Sequence, residues 1–233
     1  DWSLFNDGFH KSIQHRQKNL RIMKKIVLAY SGGLDTSIIL KWLQKNFKAE
    51  VIAYTADIGQ KINRKKIIQN AKKLGVKKII IENLKNTFVK EYIFPMIRAH
   101  AMYEGKYLLG TSIARPLIGK RQIAVAKKFK AFAVSHGSTG KGNDQIRFEL
   151  AYSFFGKKIK IISPWRIWKL QSRTDLIKYA KDNKIPIPKD KKGAPPFSVD
   201  DNIFHTSTEG KVLENPKNSA PEFIYQRTVS PQK

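Results

Sequence analysis

The sequence contains no cysteine. That excludes a disulfide framework, a thiolate metal site and a catalytic thiol. Long apolar runs are missing as well. The longest, Ile26 to Tyr30, has five residues, against the roughly 20 that a membrane-spanning helix needs. Residues 1–22 hold no continuous apolar stretch, so they do not read as a secretory signal. Acidic residues are scarce: Asp and Glu number 18 against 45 Lys and Arg, a net charge of +27, and 35 of the 45 are lysine. Core-forming residues are plentiful, with 41% hydrophobic and 11% aromatic among 233 residues, which excludes intrinsic disorder. A chain of this length buries about 70% or more of its unfolded surface. The expectation is a soluble, cytoplasmic protein of roughly one and a half domains, with no membrane partner.

A charge of +27 suits a polyanion partner. Position argues otherwise. The basic clusters at 61–66, Lys72-Lys73, Lys77-Lys78, Lys127-Lys128 and 157–160 recur at the ends of elements and trace no single stripe. Trp42, Trp165 and Trp168 fall in apolar elements, not among those clusters. This pattern reads as a drifted surface, without specific nucleic-acid recognition.

Residues 1–22 place Trp2, Phe5, Phe9 and Ile13 at near-helical spacing and read as an upstream extension, with Met23 as the natural start. From Lys24 the pattern alternates. Strands are expected at 26–30, 51–54, 79–81, 131–134 and 159–162, and helices at 37–46, 67–74, 87–104 (with Pro95 inside), 118–130, 144–155 and 176–182, the last behind a Ser172–Asp175 capping box. Apolar runs alternating with helices predict an α/β fold, a doubly wound parallel sheet with ligands at the C-terminal ends of its strands. Past Pro186 the chain becomes proline-punctuated and loses periodicity. Three segments follow: an extension (1–22), a nucleotide-binding domain (23–188), and an arm opening an incomplete second domain (189–233). With no further domain to pack on, that arm is expected to be mobile.

Two loops carry the chemistry. The first is Ala29, Tyr30, Ser31, Gly32, Gly33, Leu34, Asp35, Thr36 and Ser37. A strand ends in Ser-Gly-Gly and a helix starts at once, so backbone N–H groups and the helix N-terminus converge on one anion. Ser31, Thr36 and Ser37 add hydroxyl donors. This is a phosphate cradle without the Walker A pattern. Asp35 beside phosphate oxygens implies a hard cation between them, so Asp35 is the candidate Mg²⁺ ligand. The second loop, 135–144, also follows a strand and opens a helix; Gly137, Gly140 and Gly142 with Ser138, Thr139 and Lys141 can wrap another part of a nucleotide. Asp144 and Arg147 stand i, i+3 and share a helix face. A carboxylate and a guanidinium there suit a zwitterionic amino acid, and the bland alternative is an intrahelical ion pair.

The stretches 31–37, 55–60, 107–116, 136–150, 163–166 and 212–216 closely resemble argininosuccinate synthases, over essentially Met23 to Gln232 in order. Ser-Gly-Gly-x-Asp alone identifies only the wider PP-loop ATP-pyrophosphatase superfamily, with its adenine-nucleotide alpha-hydrolase-like, Rossmann-like fold. The resemblance implies ATP-dependent ligation of citrulline and aspartate through citrullyl-AMP, as in arginine biosynthesis and the urea cycle. It implies ATP and Mg²⁺ at 29–37, with Ala56 beside the adenine and Gly137 completing the nucleotide site. Thr139, Asn143 and Asp144 match aspartate-binding positions. Tyr107, Ser112, Asn143, Arg147, Ser198 and Ser207 match citrulline-binding positions. Asp35, Asp144 and Arg147 become the catalytic candidates. Full-length relatives form homotetramers and are nearly twice as long, so weak Mg·ATP binding with slow product formation is expected of this chain. The alternatives are an inactive member that only binds ATP, or another PP-loop pyrophosphatase. A tRNA-thiolating enzyme relies on cysteines absent here, and the 137–149 block disfavours amidating relatives.

Overall fold

A computed structural model describes residues 23–140, 142–170, 172–187, 197–225 and 227–231. The 1–22 extension, Lys141, Pro188 and the 189–196 part of the arm lie outside the described residues. Five parallel strands form one sheet in the order β3-β2-β1-β4-β5: β1 (Lys25–Ala29), β2 (Glu50–Asp57), β3 (Lys78–Asn83), β4 (Ala133–Ser135) and β5 (Lys160–Ile162). Ile26, Val27 and Leu28 are all wholly buried. Successive side chains on a strand point to opposite faces, so this run serves two cores. Ile26 and Leu28 join Val51, Ala53 and Ala133 in one, against α1 (Leu34–Phe47), α2 (Arg64–Lys73) and α8 (Arg173–Asp182). Val27, Ile52, Tyr54 and Val134 join the other, against α5 (Gly110–Lys128) and α6 (Asn143–Phe155). Two covered faces are what a doubly wound sheet requires. The chain builds outward from β1 through β2 to β3, then returns to β4 on the other side of β1. The strand order therefore reverses between β1 and β4, where such sheets bind ligands.

Buried Gln122 fastens that reversal point. Its Nε2 donates to the Val27 and Ser135 carbonyls, each at 2.9 Å, and its Oε1 accepts from Tyr152 Oη at 2.6 Å. One side chain thus ties β1, β4 and α6 together. Gly119 lets α5 and α6 approach closely, since a Cβ there would lie 2.8 Å from Ala151 Cβ.

Two expected elements change shape. The helix expected over 87–104 is α3 (Lys85–Phe88), a π-helical turn (Val89–Ile93) and α4 (Phe94–Arg98). Pro95 has no N–H to give, and the wider turn, in which the Phe94 amide reaches the Val89 carbonyl, absorbs it. Beyond Arg98 the chain reverses through left-handed His100, Glu104 and Gly105. The helix expected from Ile118 begins eight residues earlier, at Gly110, and contains Pro116. The capping box at α8 is present with both of its hydrogen bonds.

The arm departs from expectation. Residues 198–209 form a hairpin, β6 (Ser198–Asp201) against β7 (Thr206–Glu209), and it packs back onto the parallel-sheet domain. The Ile203 amide donates to the Ile58 carbonyl at 2.8 Å, and buried Asn202 donates from Nδ2 to the Gly110 carbonyl at 3.1 Å. Phe204 packs on the helix-side core. Polar sequence without periodicity hid this contact, because backbone and amide hydrogen bonds make most of it.

Candidate active site

The first loop leaves β1 and enters α1. Gly32 sits at φ +81, and a Cβ on it would meet Ile67 Cγ1 at 2.9 Å, so glycine is required twice over. Ser31 Oγ accepts from the Gly33 amide at 3.3 Å and pairs with Thr36 Oγ1 at 3.1 Å, while Thr36 Oγ1 donates to the Gly33 carbonyl at 3.3 Å. The loop is thereby closed on itself. Among the described residues no side chain caps α1, which leaves its first-turn amides for an anion. Ser37 differs from the expected third donor. It is buried, and its hydroxyl pairs with Tyr30 Oη at 3.2 Å inside the core. Burial pushes the Tyr30 hydroxyl up, and Ser37 offsets part of that.

The second loop leaves β4 and enters α6, the strand beside β1. A Cβ on Gly137 would lie 3.0 Å from Thr36 Cγ2, so the two loops touch. Trp165, next to α7 (Pro164–Ile167) Pro164, donates from Nε1 to the Gly137 carbonyl at 3.0 Å. Among the described residues the N-terminus of α6 also has no side-chain cap.

Between the loops and the hairpin lies a charged cluster. Asp144 Oδ1 accepts from Arg147 Nη1 at 2.7 Å, as the i, i+3 spacing anticipates. Its other oxygen accepts from Arg115, at 2.7 Å, and Arg115 also reaches Asp200 Oδ1 on β6 at 2.9 Å. Burial alone would lower the Arg115 guanidinium, but the Asp144 and Asp200 carboxylates outweigh it and hold it above its ordinary value. Asp144 is therefore no simple intrahelical partner. It is shared by two guanidiniums, one of them mostly buried.

One cavity of about 830 Å³ opens where these parts meet. Its wall includes Ala29, Tyr30, Ser31, Gly33, Leu34, Asp35, Thr36, Ala56, Tyr107, Gly137, Thr139, Asn143, Asp144, Arg147 and Ser207. Gly32, Ser37, Ser112 and Ser198 are not on it. Ser112 stands behind the wall and donates to Tyr107 Oη at 3.5 Å. Burial raises the Tyr107 hydroxyl, but hydrogen bonds from Ser112 and Thr111 overcome that and leave it below its ordinary value. Ser198 pairs with Glu209 at the open end of the hairpin. At the β2 end, Gln60 donates from Nε2 to the Ala56 carbonyl at 2.6 Å and accepts from the Ile58 amide at 2.9 Å, which stiffens that wall.

Sequence reasoning missed Arg115, Asp200, His205 and Glu209, all on the cavity wall. Arg115 stood inside the 107–116 stretch, but its partners lie 29 and 85 residues away, and no local spacing reveals them. For a cation, no group of three His, Cys, Asp or Glu exists among the described residues. Asp35 alone beside a phosphate cradle still fits Mg²⁺, which takes one or two carboxylates and otherwise phosphate oxygens and water.

Residues 25–186 match the model of the arginosuccinate synthase N-terminal HUP domain. The chain belongs to the argininosuccinate synthase family. It is 80% identical over 214 residues to the argininosuccinate synthase of Pelagibacter ubique, covering 92% of this chain and 54% of that protein. Against the enzyme of Xanthobacter autotrophicus it is 59% identical over 214 residues, covering 91% and 52%. The chain thus spans about half the length of these curated relatives. Among solved structures, a U34-tRNA thiolase from Methanococcus maripaludis is similar at TM-score 0.46 and 15% identity, over 71% of this chain and 59% of that one. No helix among the described residues is long and apolar enough to cross a membrane.

Proposed function

We propose that this chain binds Mg·ATP and two amino acids for the ligation of citrulline and aspartate to argininosuccinate. One observation carries the reading: two uncapped helix N-termini behind glycine loops open into the same cavity as the Asp144–Arg115–Arg147 cluster. Anion-binding and zwitterion-binding chemistry then sit side by side. The ureido oxygen of citrulline attacks the α-phosphorus, pyrophosphate leaves, and citrullyl-AMP forms. The amine of aspartate then adds to the activated ureido carbon, AMP leaves with the C–O bond, and the nitrogen gives up its proton. A urea carbonyl is a poor electrophile, so adenylation supplies the leaving group that the protein cannot.

The residues serve mainly to position and to screen charge. Ser31, Gly33 and the first turn of α1 would hold phosphates, with Ala56 at the adenine side and Gly137 closing the site. Mg²⁺ carried by ATP would neutralise phosphate charge, with Asp35 as its protein ligand. Thr139, Asn143 and Asp144 would take aspartate, and Tyr107, Asn143, Arg147 and Ser207 citrulline, while Ser112 would act through Tyr107. Asp144 and Arg147 each already hold a partner of opposite charge, so a bound zwitterion exchanges ion pairs and leaves no charge newly buried. The test is exchange of labelled pyrophosphate into ATP. Exchange that requires citrulline, with AMP release on adding aspartate, supports the reading. ATP binding without exchange would reduce it to a nucleotide-binding member of the family.

A further inference from the structure

Behind the second loop lies a polar cluster around a buried histidine that none of these steps uses. His136 is wholly buried, stacked on Phe148 at 5.5 Å and 8° and beside Tyr152 at 6.1 Å. The Ser138 amide donates to His136 Nδ1 at 3.2 Å, so that nitrogen carries no proton. The ring proton of neutral His136 is therefore on Nε2, which faces Ser163 Oγ at 3.3 Å and Glu149 Oε1 at 3.5 Å. Glu149 is itself fixed: Ser163 Oγ donates to Oε1 at 2.5 Å, Gln145 Nε2 donates at 2.9 Å, and Arg166 Nη1 stands 3.6 Å from Oε2.

The consequence concerns a single peptide unit. The Gly137 carbonyl and the Ser138 amide belong to the same plane. Trp165 holds the carbonyl at 3.0 Å and His136 holds the amide at 3.2 Å. Both polar ends are thus tied to the interior, and the plane cannot rotate without losing one of them. Gly137 and Ser138 are on the cavity wall and Gly137 touches Thr36 of the first loop, so this plane sets how the second loop faces the first.

We infer that His136, kept as its Nε2–H tautomer by Glu149 and Ser163, is a positioning residue that with Trp165 locks the Gly137–Ser138 peptide plane, and that protonating His136 unlatches the loop. A proton on Nδ1 would point at the Ser138 N–H, donor against donor. Burial holds the imidazole below its ordinary value, only partly offset by Glu149 and, more weakly, Asp144. The groups facing the ring are Glu149, Asp144 and Tyr152 from α6 and Ser163 before α7, with Arg166 reaching it through Glu149. The importance of the loop for nucleotide binding rests on the proposed function; the latch itself does not.

The experiment uses wild type, His136→Asn, His136→Leu and Trp165→Phe. Asparagine places an oxygen where Nδ1 stood but does not titrate. Exchange of the Ser138 amide, corrected for its intrinsic rate, and the ring ¹⁵N shifts of His136 are followed from pH 5 to 8, with ATP affinity alongside. Wild type should show an unprotonated Nδ1 and a protected Ser138 amide at pH 7.5, with protection lost toward acid. His136→Asn should keep protection across the range. Trp165→Phe and His136→Leu should each lose about tenfold, the worth of one buried hydrogen bond. Protection unchanged in folded His136→Leu and Trp165→Phe, protection lost in His136→Asn, or an Nδ1-protonated ring at pH 7.5 would each overturn the inference. Failure of wild type to bind ATP would overturn the proposed function alone, because exchange and ring shifts need no nucleotide.

Discussion

Replacing Gly110 with alanine sets two expectations of opposite sign against each other. Gly110 opens α5 outside the left-handed region, where alanine is favoured over glycine by up to about 1 kcal/mol. A methyl there would lie 2.2 Å from His205 Cβ and 2.5 Å from Cγ. No contact survives at that distance, so the hairpin must move. Undocking it forfeits the Asn202–Gly110 and Ile203–Ile58 hydrogen bonds, at about 1 kcal/mol each. The Arg115–Asp200 contact adds no more than about 1 kcal/mol, because the Asp200 side chain is 48% exposed. Partial burial of Phe204 adds about 1 kcal/mol. The net is a loss of roughly 2–4 kcal/mol, a fall in Tm of several degrees or more for a chain this size. The assay is thermal unfolding together with hydrogen exchange over 198–209. Gly110→Ala should lower Tm and expose the hairpin amides, and adding His205→Gly, which removes the clashing atoms, should restore both. A raised Tm with hairpin protection intact would show that the hairpin does not dock on α5, and the cavity wall formed by Asp200, His205 and Ser207 would go with it.

Asp35→Asn should leave the fold intact and weaken Mg·ATP by about tenfold or more, as expected for one charged contact; calorimetry showing equal Mg·ATP affinity would remove the metal role. Stability should fall as pH drops through about 6.5. His136 and His205 are held below their ordinary value by burial, and Glu149 is held below its own because Ser163, Gln145 and His136 outweigh the effect of burial. In all three the unfolded state binds more protons, so the signs agree, and a Tm flat from pH 7 to 5 would contradict this. The +27 charge should give RNA binding that collapses with salt and ignores sequence, since dispersed lysines contribute only counterion release. A fluorescence titration of several RNAs at two salt concentrations decides it, and a selective, salt-tolerant complex would refute it.

The sheet and the two loops were legible in the sequence because their signals are local. Five apolar residues, Ile26 to Tyr30, followed at once by Ser-Gly-Gly and a helical period can form little else than a covered strand turning into a helix N-terminus. The same holds for 131–144, and strand alternation then assigns Ile26 and Val27 to opposite cores. Asp144 and Arg147 were readable as neighbours because a helix places i and i+3 on one face. Only the tertiary structure could show that Asp144 serves Arg115 as well, that Ser37 turns inward to Tyr30, or that one peptide plane is held by His136 and Trp165. Tyr30 and Ser37 are 7 residues apart, Gly137 and Trp165 28, and Arg115 and Asp144 29, and no periodicity relates them; His136 is two residues from Ser138, but only packing decides which way its ring turns. The π turn around Pro95 and the early start of α5 were missed for a related reason. Proline and glycine oppose a helix locally, and here packing of Phe88, Ile93, Ala114 and Leu117 into one core overrides them. The hairpin was hidden most completely. Its docking relies on the Ile203 backbone, the Asn202 amide and the absence of a Cβ at Gly59 and Gly110, contacts that exist only once the parallel sheet has brought Ile58 and Gly110 to the same rim.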